Sequence, residues 1–203
     1  MWARSGRTGA CGPWVTIEAT GVATRPTGLP GFNTPAVGFE EPFAMLEACH
    51  ERVQRTLDLL QRLREHVKNV GADGPARQAA LDVLRYFDVA APLHHQDEEL
   101  HVFPPLLAQG PAETAALVQR LLQDHAAMVD DWAAARQPLL ALAEGRTHAF
   151  GPLDDPVLDR FAQRYIQHIE DEEGIAYPAV QALLPPTALV PMGREMAARR
   201  QQR

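Results

Sequence analysis

Two stretches of the chain share one frame: HHQDEELHVFP at residues 94–104 and HIEDEEGIAYP at residues 168–178. Each reads H-x-x-D-E-E-x-x-x-(F/Y)-P. Residues four apart on an α-helix differ by about 400° in rotation and about 6 Å in rise, so they share a face. His94 with Glu98, and His168 with Glu172, can therefore aim an imidazole nitrogen and a carboxylate at one point. Taken alone, such a pair is commonplace on a solvated helix surface. What sets these apart is the company they keep in the rest of the pattern.

Apolar residues recur at alternating steps of three and four in four long segments, as expected of helices that bury one seam. The seams read Leu46, His50, Val53, Leu57, Leu60; then Leu84, Phe87, Ala91, His94, Glu98; then Val118, Leu121, His125, Met128, Trp132; and last Leu158, Phe161, Tyr165, His168, Glu172, Ile175. Every seam carries one histidine, and two carry a glutamate where the core should be driest. The chain is thus a duplication of one helical hairpin, bearing first a histidine and then H-x-x-x-E.

An ionised carboxylate costs several kcal/mol to bury without a strong positive partner. No seam offers Lys or Arg. Four histidines and two glutamates converging in one core call for cations, and two metal ions would supply the charge. Imidazole with carboxylate and no thiolate suits iron or manganese better than zinc, and two glutamates can bridge a metal pair. The candidate metal ligands are His50, His94, Glu98, His125, His168 and Glu172.

The elements that must position these residues follow from the Gly/Pro punctuation. Helices are expected over about 42–69, 76–107, 112–143 and 154–184, with a short fifth over about 192–203. Pro92, Pro104 and Pro138 should bend or shorten them. Four helices of this length with brief connections make an all-α, up-down antiparallel four-helix bundle. Residues 1–41, rich in Gly, Pro and Thr, read as an irregular arm that Trp2, Trp14 and Phe32 could anchor. The bundle covers 42–187, and 188–203 forms a basic C-terminal tail or helix.

The remaining polar residues divide by their place relative to the seams. His101, seven after His94, is a candidate extra ligand or ligand partner. His95 stands one step off its seam and reads as solvated or as an outer donor. Tyr165 could hydrogen-bond a ligand at the site, and Phe87 and Phe161 are equivalent core residues. Glu99 and Glu173 should point off the seams, and Asp97 and Asp171 should face neighbouring helices. Phe103-Pro104 and Tyr177-Pro178 should end the straight part of each ligand helix. His66 and His148 read as surface residues.

The bulk properties exclude several classes. With 203 residues and a net charge of −7, the chain has no basic stripe for phosphates, so no nucleic-acid partner is expected. No apolar run approaches membrane-spanning length, and the first residues lack the apolar centre of a signal peptide. Cys11 and Cys49 are too few for a disulfide framework, so unpaired thiols in the cytoplasm are expected.

The seams and the two repeated stretches together resemble the hemerythrin-like HHE cation-binding family over about residues 42–184. The resemblance implies a bundle around a non-haem di-iron centre, two iron ions bridged by carboxylates and an oxo or hydroxo group. His50 and His94 would hold one iron, His125 and His168 the other, and Glu98 and Glu172 would bridge. The oxygen-carrying members have a second histidine one turn from the third-helix ligand and bridge with one Glu and one Asp. Here Leu121 and Val129 stand four residues from His125, and both bridges are Glu. The implied function is to bind, sense or reduce a small ligand (oxygen, nitric oxide or peroxide) rather than to carry oxygen reversibly. An iron donor for iron-centre repair and a redox-responsive interaction module are the alternatives.

Overall fold

The computed structural model describes residues 37–201. The expectations for the N-terminal arm, including the roles of Trp2, Trp14 and Phe32 and the state of Cys11, lie outside the described residues. Helix α1 spans Pro42–Asn69. The second long segment is built of α2 (Gly74–Arg85), a π-helical turn (Tyr86–Ala90), α3 (Ala91–His101) and α4 (Phe103–Gln109). Helix α5 spans Ala112–Ala143. The fourth segment consists of α6 (Asp154–Asp171), a second π-helical turn (Glu172–Ala176) and α7 (Tyr177–Leu183), followed by α8 (Pro186–Gln201). The architecture is the expected all-α bundle of four long helical segments, with no strand among the described residues.

Local chemistry sets the boundaries. Pro42 opens α1 at a position where a missing N–H costs nothing. The Asp73 side chain caps α2 by accepting from the Ala76 amide at 2.9 Å. Gly71 and Gly145 follow α1 and α5 at φ of 100° and 71°, left-handed backbone that a side chain would strain. At its far end, α8 begins six residues earlier than the composition suggests, because Pro186 is accepted in a helix's first turn.

The prolines act differently from one another. Pro92 and Pro178 each lack the N–H that would continue the ladder, and each sits two residues past the end of a π-helical turn. There the amides of Ala91 and Tyr177 reach back five residues, to the carbonyls of Tyr86 and Glu172. At Pro104 the helix is interrupted at Val102 alone. Pro138 lies inside α5, which continues through it. The Tyr177-Pro178 pair therefore does not end its helix; it re-phases it.

This re-phasing corrects the fourth seam. Ile175, expected to face inward, is 49 % exposed, while Ala176 and Tyr177 are buried in its stead. One added residue in the turn advances every later side chain by roughly 100°.

The apolar core is divided. One cluster, with Val53, Leu60, Leu84, Phe87, Met128, Leu139 and Phe161, fills one end of the bundle. The other, with Leu46, Phe103, Leu106, Val118, Leu121, Tyr177 and Met196, fills the opposite end and takes in α8. Between them lies a layer of buried polar side chains: His50, His94, Glu98, His125, His168 and Glu172.

Candidate metal centre

All six sequence-predicted residues meet in that layer. α1 contributes His50, α3 contributes His94 and Glu98, α5 contributes His125, and α6 contributes His168. Glu172 is the first residue of the second π-helical turn. Their facing atoms form two sets within which every pair lies under 4.8 Å: His50, His94, Glu98 and Glu172 in one, and His125, His168 and Glu172 in the other. Glu172 belongs to both. Its Oε2 is 3.1 Å from His50 Nε2 and its Oε1 is 3.1 Å from His168 Nε2. Glu98 places Oε1 at 3.4 Å from His94 Nε2 and Oε2 at 3.5 Å from His125 Nε2.

The electrostatics are those of a site short of positive charge. Glu98 and Glu172 are 0 % exposed, and three of their four carboxylate oxygens have no hydrogen-bond donor. Burial, aided by the neighbouring Glu172, pushes the Glu98 carboxyl well above the usual carboxylate range. Burial acts the same way on Glu172, but the imidazoles of His125, His168 and His50 facing it outweigh it and hold the carboxyl well below that range. His94, with burial and His50 both opposing its cation, is driven well below the ordinary imidazole value. For His50, burial opposes the cation but Glu172 and Glu173 overcome it, and the direction is upward. The Nε2 atoms of His125 and His168 stand 3.1 Å apart. Two imidazole lone pairs at that distance need a proton or a metal ion near them. The donor set fits divalent or trivalent cations: imidazole nitrogens with orphaned carboxylate oxygens, in a buried layer with no Lys or Arg in contact among the described residues.

Around this layer the duplication is kept. Glu173 accepts from His50 Nδ1 at 2.8 Å, and Glu99 accepts from His125 Nδ1 at 2.8 Å. Each glutamate comes from the hairpin opposite to its histidine. The expected facing of Glu99 and Glu173 holds. They lie off their own seams, but each reaches across to orient an imidazole of the other half, as carboxylates behind metal-bound histidines do. Asp97 is 0 % exposed and takes Arg199 Nη2 at 2.6 Å and Arg200 Nη1 at 2.7 Å, both from α8. Asp171, its counterpart, takes Arg120 at 2.6 Å.

Other expectations change with the geometry. His101 faces α8 instead of the centre, with Nε2 2.8 Å from Arg199 Nη2; the guanidinium beside it would repel a metal ion. Tyr165 packs among Phe87, Phe161 and His95. The tyrosine that reaches the site is Tyr177, whose hydroxyl donates to Glu98 Oε1 and lies 3.4 Å from His50 Nε2. A period-3.6 extrapolation misses it because the π-helical turn rotates it inward; the (F/Y)-P that follows each D-E-E triple was the available signal. His95 lies closer to the site than its off-seam position suggested, stacked on His125 with ring centroids 4.1 Å apart. Val129, four residues after His125, is 66 % exposed, and Leu121 belongs to the apolar cluster on the α8 side. A cleft of about 130 Å³, lined by Phe87, Ala91, Pro92, His95, Met128, Val129, Trp132 and Tyr165, opens beside His95.

Comparison with known proteins agrees with this geometry. The family model described as Hemerythrin HHE cation binding domain matches residues 41–180. An uncharacterized protein of Haemophilus influenzae is 33% identical over 163 residues, covering 80% of this chain and 92% of that protein.

Proposed function

Since the chain belongs to the hemerythrin HHE cation-binding family, we propose that its buried His/Glu layer holds two iron ions and that the pair binds, senses or reduces a small ligand such as oxygen, nitric oxide or peroxide. His50 and His94 would hold one ion, His125 and His168 the other, with Glu98 and Glu172 shared. The observation that carries the reading is the set of three donor-less oxygens on two fully buried glutamates, surrounded by four imidazoles. Apolar replacements would be cheaper for stability alone. An iron pair when bound supplies electrons and open coordination positions.

The chain's own residues do the rest. Glu99 and Glu173 fix the orientation of His125 and His50. The aromatic wall of Phe87, Trp132, Phe161 and Tyr165 limits water entry from one side. The cleft beside His95 has room for a molecule of a few atoms and is mostly apolar in lining, which favours a neutral diatomic or peroxide over a larger metabolite. No described helix is long and apolar enough to cross a membrane. Cys49 is buried and has no disulfide partner among the described residues; a reducing cytoplasmic setting is part of the reading.

Elemental analysis of protein produced with adequate iron tests the proposal. About two irons per chain are expected from the duplicated ligand sets. A single tightly held zinc without iron would overturn it. A second reading, a metal-responsive interaction module, draws on one observation: Asp97, adjacent to Glu98, is paired with both Arg199 and Arg200 of α8. Proteolysis of α8 that depends on metal loading would favour it, and unchanged proteolysis would dismiss it.

A further inference from the structure

The family model ends at residue 180, so helix α8 and the residues just before α1 lie beyond the bundle it describes. These two pieces hold one another. Gly193 of α8 passes so close to Phe39 that a Cβ there would overlap the Phe39 carbonyl oxygen. Further along α8, the Arg200 guanidinium stands 5.0 Å from the centre of the Phe39 ring, a cation–π contact. The same helix grips α3. Arg199 and Arg200 both pair with Asp97, and Arg199 also meets His101. Asp97 and His101 are one helical turn apart, with Glu98 between them in sequence. Phe39 leads into α1, the helix of His50. Helix α8 therefore ties together the two elements that carry His50, His94 and Glu98.

It also roofs them. Met192 and Met196 belong to the apolar cluster that contains Leu46, Cys49, Val102 and Leu106. Cys49 and Asp97 are buried, each stands one residue from a metal-ligand candidate, and Arg200 lies beside both. Lifting α8 would uncover a thiol next to His50 and a carboxylate next to Glu98. Two residues, Leu184 and Pro185, join α8 to α7, and Leu184 has extended backbone. A link of this kind can absorb the rotation of a whole helix. Opening would return Asp97 and both arginines to water together, which costs far less than stranding one of them in the core.

We infer that α8 is a strap over the metal layer: it opens about the link at Leu184 and Pro185 while the four long segments stay folded, and metal enters and leaves through that opening. The inference rests on the metal-binding reading above and needs no partner protein. Metal held beneath the closed strap lowers the open population, and by the same coupling an opened strap speeds metal loss.

The test reads strap opening and metal release separately in the full chain. Cys11→Ser leaves Cys49 as the one thiol of the sequence, and its labelling by a maleimide reports uncovering beneath α8. Transfer of iron from the loaded protein to an added chelator reports release. Arg199→Ala with Arg200→Ala strands Asp97 only while the strap is closed, and Gly193→Ala wedges α8 away from Phe39. Each should speed labelling and release together, by about a hundredfold or more for the double change, the scale set by a stranded buried carboxylate. Iron loading should slow labelling in the Cys11→Ser protein. Leu139→Ala, in the opposite apolar cluster, should lower urea stability yet leave labelling at the Cys11→Ser rate, which separates strap opening from general loosening. Circular dichroism shows whether each variant is folded, and if the double change is not, Gly193→Ala decides. Faster labelling without faster release, unchanged rates in folded variants, or equal acceleration by Leu139→Ala would overturn the inference and leave the metal-binding reading intact. Failure of the wild type to retain iron would overturn both.

Discussion

Asp97, Glu98 and Glu99 are consecutive, yet each has a different partner. Successive helical side chains are about 100° apart. Asp97 meets the arginines of α8, Glu98 the centre, and Glu99 an imidazole of the opposite hairpin. Asp171, Glu172 and Glu173 repeat the arrangement with Arg120, the centre and His50. Substitution should resolve these roles. Glu98→Ala or Glu172→Ala should abolish binding of at least one metal, whereas Glu99→Gln and Glu173→Gln should weaken affinity about 10- to 100-fold without abolishing it. Glu170→Ala, at an exposed position on α6, should leave metal content unchanged. Metal analysis after dialysis distinguishes the three grades, and equal loss at all five positions would show the assignment of faces to be wrong. His101→Ala should also retain full metal content, because its ring is engaged by Arg199.

At the scale of elements, the π-helical turns and the ion pairs between helices set how the ligand helices are presented. Asp131 of α5 receives Arg160 Nε and Arg164 Nε of α6, each at 2.7 Å. Burial works to raise its pKa, but the two guanidiniums prevail and hold it below its ordinary value of 3.8. A folded-state pKa below the unfolded one contributes stability above the unfolded value and loses it as pH falls through the folded value. Asp131→Asn should therefore be less stable than wild type at neutral pH. The difference should shrink once pH drops below about 3.8. Urea unfolding of both proteins across that range is the measurement, and a difference independent of pH would mean that the carboxylate charge is not what joins α5 to α6.

For the whole molecule, a polar layer separating two apolar clusters makes stability conditional on what fills it. Metal bound only by the folded state stabilises by mass action, about 2.7 kcal/mol per site at a free concentration a hundred times Kd. The unfolding midpoint should therefore rise with added metal and fall with chelator, and a midpoint indifferent to both would contradict a site in the core. Helix α8 is the other global constraint. It places Met192 and Met196 in the second cluster and supplies both cations for Asp97. The double change Arg199→Ala with Arg200→Ala leaves a buried carboxylate unpaired. It should cost about 3–5 kcal/mol in urea unfolding, while Arg194→Ala, whose exposed side chain lies elsewhere on α8, should cost little.

The helices, their order and the six converging residues were legible because they depend on local periodicity: a seam repeats every three to four residues, and a His or Glu on it must enter the core. The duplication doubled that signal. What the pattern did not reveal depends on contacts between segments distant in the chain. Glu99 and Glu173 lie off their own seams, and only the packing of the two hairpins against each other brings them to His125 and His50. His101 keeps heptad spacing from His94, but α8 draws it outward. Ile175 and Tyr177 exchange places because Pro178 removes one amide and the helix takes up a π-helical turn, a one-residue shift invisible to any fixed period. Thus the sequence by itself determined that the six histidines and glutamates enter the core and what chemistry they require. Only the tertiary structure decided which carboxylates support which imidazoles, and which tyrosine reaches the centre, because those choices rest on the phase and docking of helices rather than on the spacing within them.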